Sequence, residues 1–304
     1  MQREPVTGLG YCRTLADISG AWWRLVVVVV TAVVGLLAGS LLAIVSVTSV
    51  ARQVGYPDFT VDSDDGVNAG EMLALNLGLG SLILVAGLMV RLLYGVRPRW
   101  LSSTRPGIRW TWLLACVGMA LVVWSLFLVL GTGGALASRE TAIDGATVAF
   151  VGVVLLTTPL QAAGEEYGFR GLLLQAFGAT RLPSWACCIA TGVLFATAHL
   201  QFDPQLFADR MLLGTVLAVL VIQTGGLEAS IAVHLVKNVS VLIPAGLLDD
   251  AESALDPSAV SWLPLIFDAV LLAIVVPWIL YAGRGLVRQE RGRRLSADVG
   301  QPSV

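Results

Sequence analysis

The sequence predicts an all-α fold, a polytopic bundle of about eight transmembrane helices. Of its 304 residues, 56% are hydrophobic and 13% are charged, and the mean hydropathy is +0.81. A soluble domain usually carries about 25% charged residues. One apolar core with a solvated shell cannot hold so many apolar side chains, so many of them must face lipid. The apolar runs leave no room for a soluble domain longer than a loop or tail, and no nucleic-acid partner is expected.

Eight apolar segments predict the individual helices, and a helix needs about 20 residues to cross the hydrocarbon. They are Trp22–Val50, Met72–Val96, Trp110–Gly131, Ala146–Phe177, Ser184–Leu200, Met211–Gln223, Ala229–Leu248 and Val260–Ala282. The fourth segment is long and the sixth is short. The first is predicted to be a transmembrane helix and not a cleavable signal, because it has the length of a full span and lacks a small-residue cleavage site.

Charge in the connections predicts the orientation. Arginines cluster before the first segment, between the second and third, and after the eighth: Arg3, Arg13, Arg24, Arg91, Arg97, Arg99, Arg105, Arg109, Arg284, Arg288, Arg291, Arg293 and Arg294. Intervening connections are acidic: Asp58, Asp62, Asp64, Asp65, Asp249, Asp250, Glu252 and Asp256. Positive connections stay in the cytoplasm, so we expect a multi-pass protein of the cell membrane with both termini cytoplasmic. The tail after Arg284 is expected to be flexible. The almost complete preference for arginine over lysine favours a bacterial source.

The fourth segment carries three charged residues at membrane depth, where each charge needs a partner or a purpose. Glu166 and Arg170 are four residues apart and share one helix face, which predicts an ion pair. Glu165 is rotated by about 100° from Glu166, so Arg170 cannot serve both, and Glu165 has no local partner. A second carboxylate beside the first is a usual way to obtain a base with altered proton affinity.

Both histidines of the chain lie in neighbouring apolar segments. About 18 Å of helix separates Glu165 from the turn after the fourth segment, and about 22 Å separates that turn from His199. The two side chains therefore reach a similar depth and can meet. His234 and Asn238 share one face of the seventh segment. His234 would lie too shallow unless the Thr224–Gly226 turn is sunk in the protein, which the short sixth segment favours.

These side chains suit amide hydrolysis. Glu165 and His199 could deprotonate a water, while His234 and Asn238 could donate hydrogen bonds to the oxyanion. Alternatively, Glu165, His199 and His234 form a possible metal set of two histidines and one glutamate, as in catalytic zinc sites. The sequence leaves the metal-free and the metal-dependent alternatives open. The side chains are expected to converge on one water-accessible cavity that opens toward the cytoplasm.

The three segments resemble the CPBP family, which includes the type II CAAX prenyl endopeptidases and bacterial bacteriocin-processing or immunity proteins. The family motifs EExxxR, FxxxH and HxxxN match, in order, Glu165, Glu166 and Arg170, then Phe195 and His199, then His234 and Asn238. Each motif alone is weak, but three in order that use both histidines are specific. The likeness covers about Gly145 to Leu247, and it adds nothing for the other helices beyond hydrophobicity.

The resemblance implies an intramembrane endopeptidase that cleaves a membrane-associated protein or peptide within the lipid bilayer. The residues that it implies in the site are Glu165, Glu166, Arg170, His199, His234 and Asn238. It gives water activation to Glu165 with His199, oxyanion stabilisation to His234 with Asn238, and support of the site to the remaining pair. Members of the family have been described both with and without a metal, so the cofactor stays open between a divalent ion such as zinc and none.

Two other functions compete with the peptidase. One is a non-catalytic immunity or partner-binding protein on the same scaffold, which would not need to retain a base. The other is a proton-coupled transporter, in which Asp268 of the eighth segment would be a further relay residue. Asp268 is expected to reach water near the acidic side, and Lys237 has no evident role. The chain is divided into N-terminal helices at 1–144, a catalytic core at 145–247, and a last helix with a basic tail at 248–304.

Overall fold

The structure is a computed structural model that describes residues 10–16, 21–56, 68–131, 143–247 and 261–299. The described residues form helices joined by short connections and contain no β-strand, which confirms the predicted all-α polytopic bundle. A 3₁₀-helix at Tyr11–Arg13 precedes the bundle. The α-helices are α1 (Ala21–Val54), α2 (Ala69–Gly80), α3 (Leu82–Leu93), α4 (Arg99–Ser102), α5 (Trp110–Gly131), α6 (Gly145–Glu166), α7 (Leu174–Ala179), α8 (Ser184–Ala198), α9 (Pro204–Thr224), α10 (Glu228–Leu247), α11 (Leu263–Ala282) and α12 (Arg284–Val299).

Six helical stretches in the described part of the chain are long and apolar enough to cross a membrane. They are Trp22–Val54, Ala69–Leu93, Gly145–Ala179, Pro204–Thr224, Glu228–Leu247 and Leu263–Ala282. The third predicted segment forms α5, a helix of 22 residues whose apolar part includes Trp110–Leu126. The fifth forms α8, which has 15 residues and is shorter than a full span. All eight predicted segments are therefore helical in the part of the chain that the structure describes.

The prediction of a short sixth helix is wrong. α9 has 21 residues and begins at Pro204, seven residues before the predicted start at Met211. Hydropathy does not predict the first turns of α9, because the charged residues Asp209 and Arg210 interrupt the apolar run there. In the structure, Oδ2 of Asp209 lies 3.1 Å from Nζ of Lys237 in α10. This ion pair allows the charged turn to lie inside the bundle.

The long fourth segment is one continuous helical stretch with a change of winding. Asp144 caps its start, accepting a hydrogen bond from the Thr147 amide at 2.8 Å, and this bond lowers the pKa of Asp144 below its usual value. α6 ends at Glu166 and is followed by a π-helical segment, Tyr167–Leu173, before α7. π-helical turns are rare and often occur at functional sites. Here the change of winding comes directly after the two glutamates.

Two close helix crossings set the depth of the candidate site. A Cβ atom at Gly164 of α6 would lie 2.7 Å from the Cα of Gly80 in α2. A Cβ atom at Gly214 of α9 would lie 2.8 Å from the Cα of Gly192 in α8. Only glycine allows such approaches between membrane helices. Since Gly164 directly precedes Glu165, the first crossing fixes the position of that carboxylate.

The turn between α9 and α10 is buried, as the depth of His234 requires. Gly225 adopts a left-handed conformation with φ of 70°, and its carbonyl accepts a hydrogen bond from the Thr104 amide at 2.9 Å. Arg109 forms an ion pair with the buried Glu228 at 2.5 Å and donates to the Thr224 carbonyl at 3.1 Å. The connection before α5 therefore covers this turn. The turn is buried because of that cover, and not because α9 is short.

The predicted flexible tail is also wrong for the residues that the structure describes. α12 follows directly on α11, and its Glu290 is only 2% exposed. One oxygen of Glu290 accepts a hydrogen bond from the Tyr11 amide at 2.7 Å, and the other from the Thr104 hydroxyl at 3.2 Å. This buried carboxylate attaches α12 to the rest of the bundle.

We predict that both termini lie in the cytoplasm. The eight segments predicted from the sequence would place the two termini on one side, and the arginine clusters assign that side. The acidic connections within 57–67 and 248–260, and Arg3, lie outside the described residues. Reporter fusions after Arg294 and after Asp62 should report the cytoplasmic and the external side, respectively. The same side for both fusions would contradict the orientation.

Candidate active site

Glu166 lies at the centre of the candidate site and is fully buried. Its Oε1 atom accepts a hydrogen bond from Nη1 of Arg170 at 2.8 Å and lies 2.9 Å from Nδ1 of His234. Arg170 is also fully buried and donates from Nη2 to the Gly214 carbonyl at 3.3 Å. The ion pair expected from the spacing of four residues is therefore present, and it extends to α9 and α10.

Glu165 does have a partner, and α10 supplies it. Its Oε2 atom lies 3.1 Å from Nε2 of His234, and the carboxylate is buried. This distance permits an ion pair, but the ring N–H direction does not give a hydrogen bond to Oε2 within the described residues. A neutral imidazole carries one N–H. If His234 donates to Glu166 through Nδ1, the neutral ring carries no proton on Nε2, and only the doubly protonated ring could also donate to Glu165.

His199 is oriented by its own helix. Its Nδ1 atom lies 2.8 Å from the Phe195 carbonyl oxygen, which can only accept a hydrogen bond. The neutral imidazole must therefore carry its proton on Nδ1, which leaves Nε2 as an acceptor. No hydrogen bond joins His199 to Glu165 among the described residues, although the two side chains are near enough to interact electrostatically. The expected meeting of these two side chains is thus a proximity and not a direct contact.

The Phe195 ring packs against the other side chains of the site. Its centroid lies 4.8 Å from that of His199 and 5.7 Å from that of His234, and both contacts are edge-on. The Arg170 guanidinium carbon lies 4.3 Å from the same centroid, a cation–π contact. Phe195 therefore separates the two imidazoles and holds both in place, which gives the aromatic residue of the FxxxH motif a physical role.

Asn238 reaches α6 through a residue that the sequence analysis did not identify. Its Nδ2 atom donates to Oε1 of Gln161 at 3.0 Å. Gln161 is buried and lies four residues before Glu165, on the same helix face. A polar amide on an apolar helix, one turn from a charged pair, is the signal that could have identified it.

A second charged cluster lies beside the site and explains Lys237. Its ammonium group is paired with Asp209 of α9, at 3.1 Å, and with Asp268 of α11. Asp268 is buried at 9% exposure, so the expectation that it reaches water is wrong. Arg210, next to Asp209, lies 3.6 Å from that carboxylate. These contacts join three helices around the residue that precedes Asn238.

The possible metal set does not assemble in this arrangement. Both ring nitrogens of His234 face carboxylates, so neither is directed at a shared ion. Within the described ranges, no group of three or more histidine, cysteine, aspartate or glutamate side chains is placed to hold a metal ion. Glu165, His199 and His234 therefore do not fit a metal centre as they stand.

Exposed side chains border the site at the loop between α8 and α9. Leu200 and Phe202 are 76% and 65% exposed, and Phe202 stacks on Phe207 with centroids 6.5 Å apart. This loop lies at the opposite end of α8 from the turn that contains Arg181. The cytoplasmic opening expected from the sequence stays a prediction.

Residues 147–240 match the family model described as type II CAAX prenyl endopeptidase Rce1-like. The matched segment runs from α6 to α10 and contains all six predicted site residues. No curated protein and no solved structure gives a significant match.

We predict that Arg170→Ala destabilises the protein by about 3–5 kcal/mol, because it leaves the buried Glu166 carboxylate without its cation. Thermal unfolding of purified protein in detergent measures the change. The double variant Glu166→Gln/Arg170→Met should be less destabilised than the single variant, since it removes both charges. Arg52→Ala, at an exposed position on α1, is the matched control. An Arg170→Ala melting curve like that of the control would contradict the role of the pair.

Proposed function

We propose that this chain, whose residues 147–240 match the Rce1-like family of type II CAAX prenyl endopeptidases, hydrolyses a peptide bond with a water molecule activated at Glu165. The observation that carries the proposal is the geometry of the Glu165 carboxylate. It lies 3.1 Å from His234, yet its Oε2 atom receives no hydrogen bond from the described residues. A buried carboxylate oxygen in this state can accept a proton from water.

His199 is the second group in the proposed activation of water. The hydrogen bond to Phe195 directs its unprotonated Nε2 away from the helix backbone. A water molecule between this nitrogen and Glu165 would be oriented by His199 and deprotonated by Glu165. Glu165 would then hold the proton that the departing amine needs, as in general acid–base catalysis.

His234 and Asn238 are proposed to stabilise the oxyanion. An asparagine amide has two N–H donors, and one of them already binds Gln161. The other remains for the tetrahedral intermediate. His234 can contribute in its doubly protonated form, in which Nδ1 donates to Glu166 and Nε2 is a second donor. Donors of this kind act most strongly in surroundings of low dielectric constant.

The substrate is proposed to be a membrane-associated protein or peptide. Glu165, His234 and Asn238 lie in helices that are long and apolar enough to cross a membrane, so a substrate must reach membrane depth. The exposed Phe202, in the loop that follows His199, stacks on the partly buried Phe207 of α9, and this pair can contact an apolar chain. The adjacent glutamates distinguish this proposal from a binding protein without activity, which has no need for a second buried carboxylate.

We predict that Glu165→Gln lowers hydrolysis by about 10²- to 10⁴-fold, the contribution of a positioned base. The amide keeps the volume of the side chain, so thermal stability should change little. Glu166→Gln removes the partner of Arg170 and His234, and should lower both stability and hydrolysis. Cleavage of a fluorogenic peptide library by purified protein in liposomes, with melting curves, compares the two variants.

Opposite results would reverse the assignment. If Glu165→Gln cleaves normally while a stable Glu166→Gln is inactive, Glu166 is the base. If both variants cleave like the unaltered protein, the site is not a peptidase of this kind. A strong chelator is the required control, because activity that returns only on addition of a divalent metal would assign Glu165 to metal binding.

A further inference from the structure

Arg210 is a guanidinium at the edge of the site with no hydrogen bond to any described residue. Its contact with Asp209 is 3.6 Å, and its Nε atom is buried without a partner. The side chain is 22% exposed, so it is neither fully buried nor fully hydrated. An arginine has five N–H donors in a planar fork, and leaving buried donors unused costs free energy. Such a group inside a membrane protein calls for a functional explanation.

Neighbouring charges do not require Arg210 as their direct partner. Lys237 lies between Asp209 and Asp268 and forms an ion pair with both. The longer contact between Arg210 and Asp209 leaves most of the guanidinium edge unused. Arg210 therefore balances the charge of the cluster from a distance while its donors stay available.

The helix geometry directs Arg210 toward the site. Phe207, Arg210 and Gly214 follow one another at spacings of three and four residues, so they lie along one face of α9. Gly214 accepts the hydrogen bond from Arg170 at one end of this face. Phe207 stacks on the exposed Phe202 at the other end. Arg210 thus lies between the catalytic groups and the open loop, and its charge acts on Glu165 and His199.

We propose that Arg210 binds a carboxylate of the peptide substrate and so places the scissile bond at Glu165. This inference rests on the proposed peptidase function. A guanidinium fork matches the two oxygens of a carboxylate and forms two parallel hydrogen bonds with it. The carboxylate belongs either to the substrate's C-terminus or to an aspartate or glutamate side chain near the cleaved bond. Arg210 then determines substrate specificity, while the stacked phenylalanines contact apolar parts of the chain.

Binding to the Glu165→Gln protein tests this role without cleavage. The probes are fluorescent randomised decapeptide pools that end in a free carboxylate or an amide, and amide-ended pools with aspartate or asparagine fixed at one position. With Arg210 present, one carboxylate form should bind about 10- to 100-fold more tightly than its amide counterpart, the size of a charged hydrogen-bonded contact. Which pair differs identifies the source of the carboxylate.

Replacing Arg210 in the same background provides the decisive comparison. Arg210→Gln should bind the acid and amide forms equally, and Arg210→Lys should keep a smaller preference because it retains the charge without the fork. Arg52→Gln, at an exposed position on α1, is the matched control and should keep the full preference. The absence of a preference with Arg210 present, or its persistence in both Arg210 variants, would overturn the proposal.

The two proposals fail in different ways. Peptide cleavage by the unaltered protein without any acid preference leaves the peptidase intact and removes the role of Arg210. An acid preference that depends on Arg210, in a protein that cleaves no peptide, supports carboxylate binding and contradicts the hydrolytic function. Melting curves of each variant identify loss of the fold, and Arg210→Lys supplies the test if Arg210→Gln does not fold.

Discussion

One carboxylate oxygen, Oε1 of Glu166, organises the candidate site. It binds Arg170 at 2.8 Å and His234 at 2.9 Å, and so connects α6, the π-helical segment and α10. Arg170 extends the connection to the Gly214 carbonyl of α9. Because breaking a buried ion pair typically costs about 3–5 kcal/mol, His234 is held firmly. Glu165, the adjacent residue, can therefore face a fixed imidazole, which its proposed role as the base requires.

The rest of the bundle keeps that oxygen in place. Gly164 brings α6 against α2, and Gly214 brings α9 against α8, so the helices carrying the charged residues approach closely. The cover over the α9–α10 turn sets the depth of α10, through the ion pair between Arg109 and Glu228. Phe195 fills the space between both imidazoles and the guanidinium. Apolar packing on Phe195 thus separates the two histidines, while His234 is joined to Glu165 and Glu166 by electrostatic contacts. Surroundings of low dielectric constant strengthen these contacts.

The sequence predicts the helices and the contacts within a single helix, but few of the contacts between side chains of different helices. The pairing of Glu166 with Arg170 follows from a spacing of four residues, and the helical nature of the segments follows from hydropathy. The partner of Glu165 lies on another helix whose rotation no local pattern fixes. The same reason hid the contact between Asn238 and Gln161. The early start of α9 was missed because hydropathy treats Asp209 as an end, whereas its partner on α10 makes it part of the interior.

Nitrogen NMR of the imidazoles tests the central claim most directly, because the chain has only two histidines. Selective ¹⁵N labelling, with His199→Gln for assignment, resolves the ring nitrogens of His234. The account predicts that Nδ1 of His234 is protonated, and that Glu166→Gln shifts its signal and lowers peptide hydrolysis in the same sample. His199 signals should stay nearly constant. An unshifted His234 spectrum in Glu166→Gln with hydrolysis retained would contradict the claim that Glu166 organises the site.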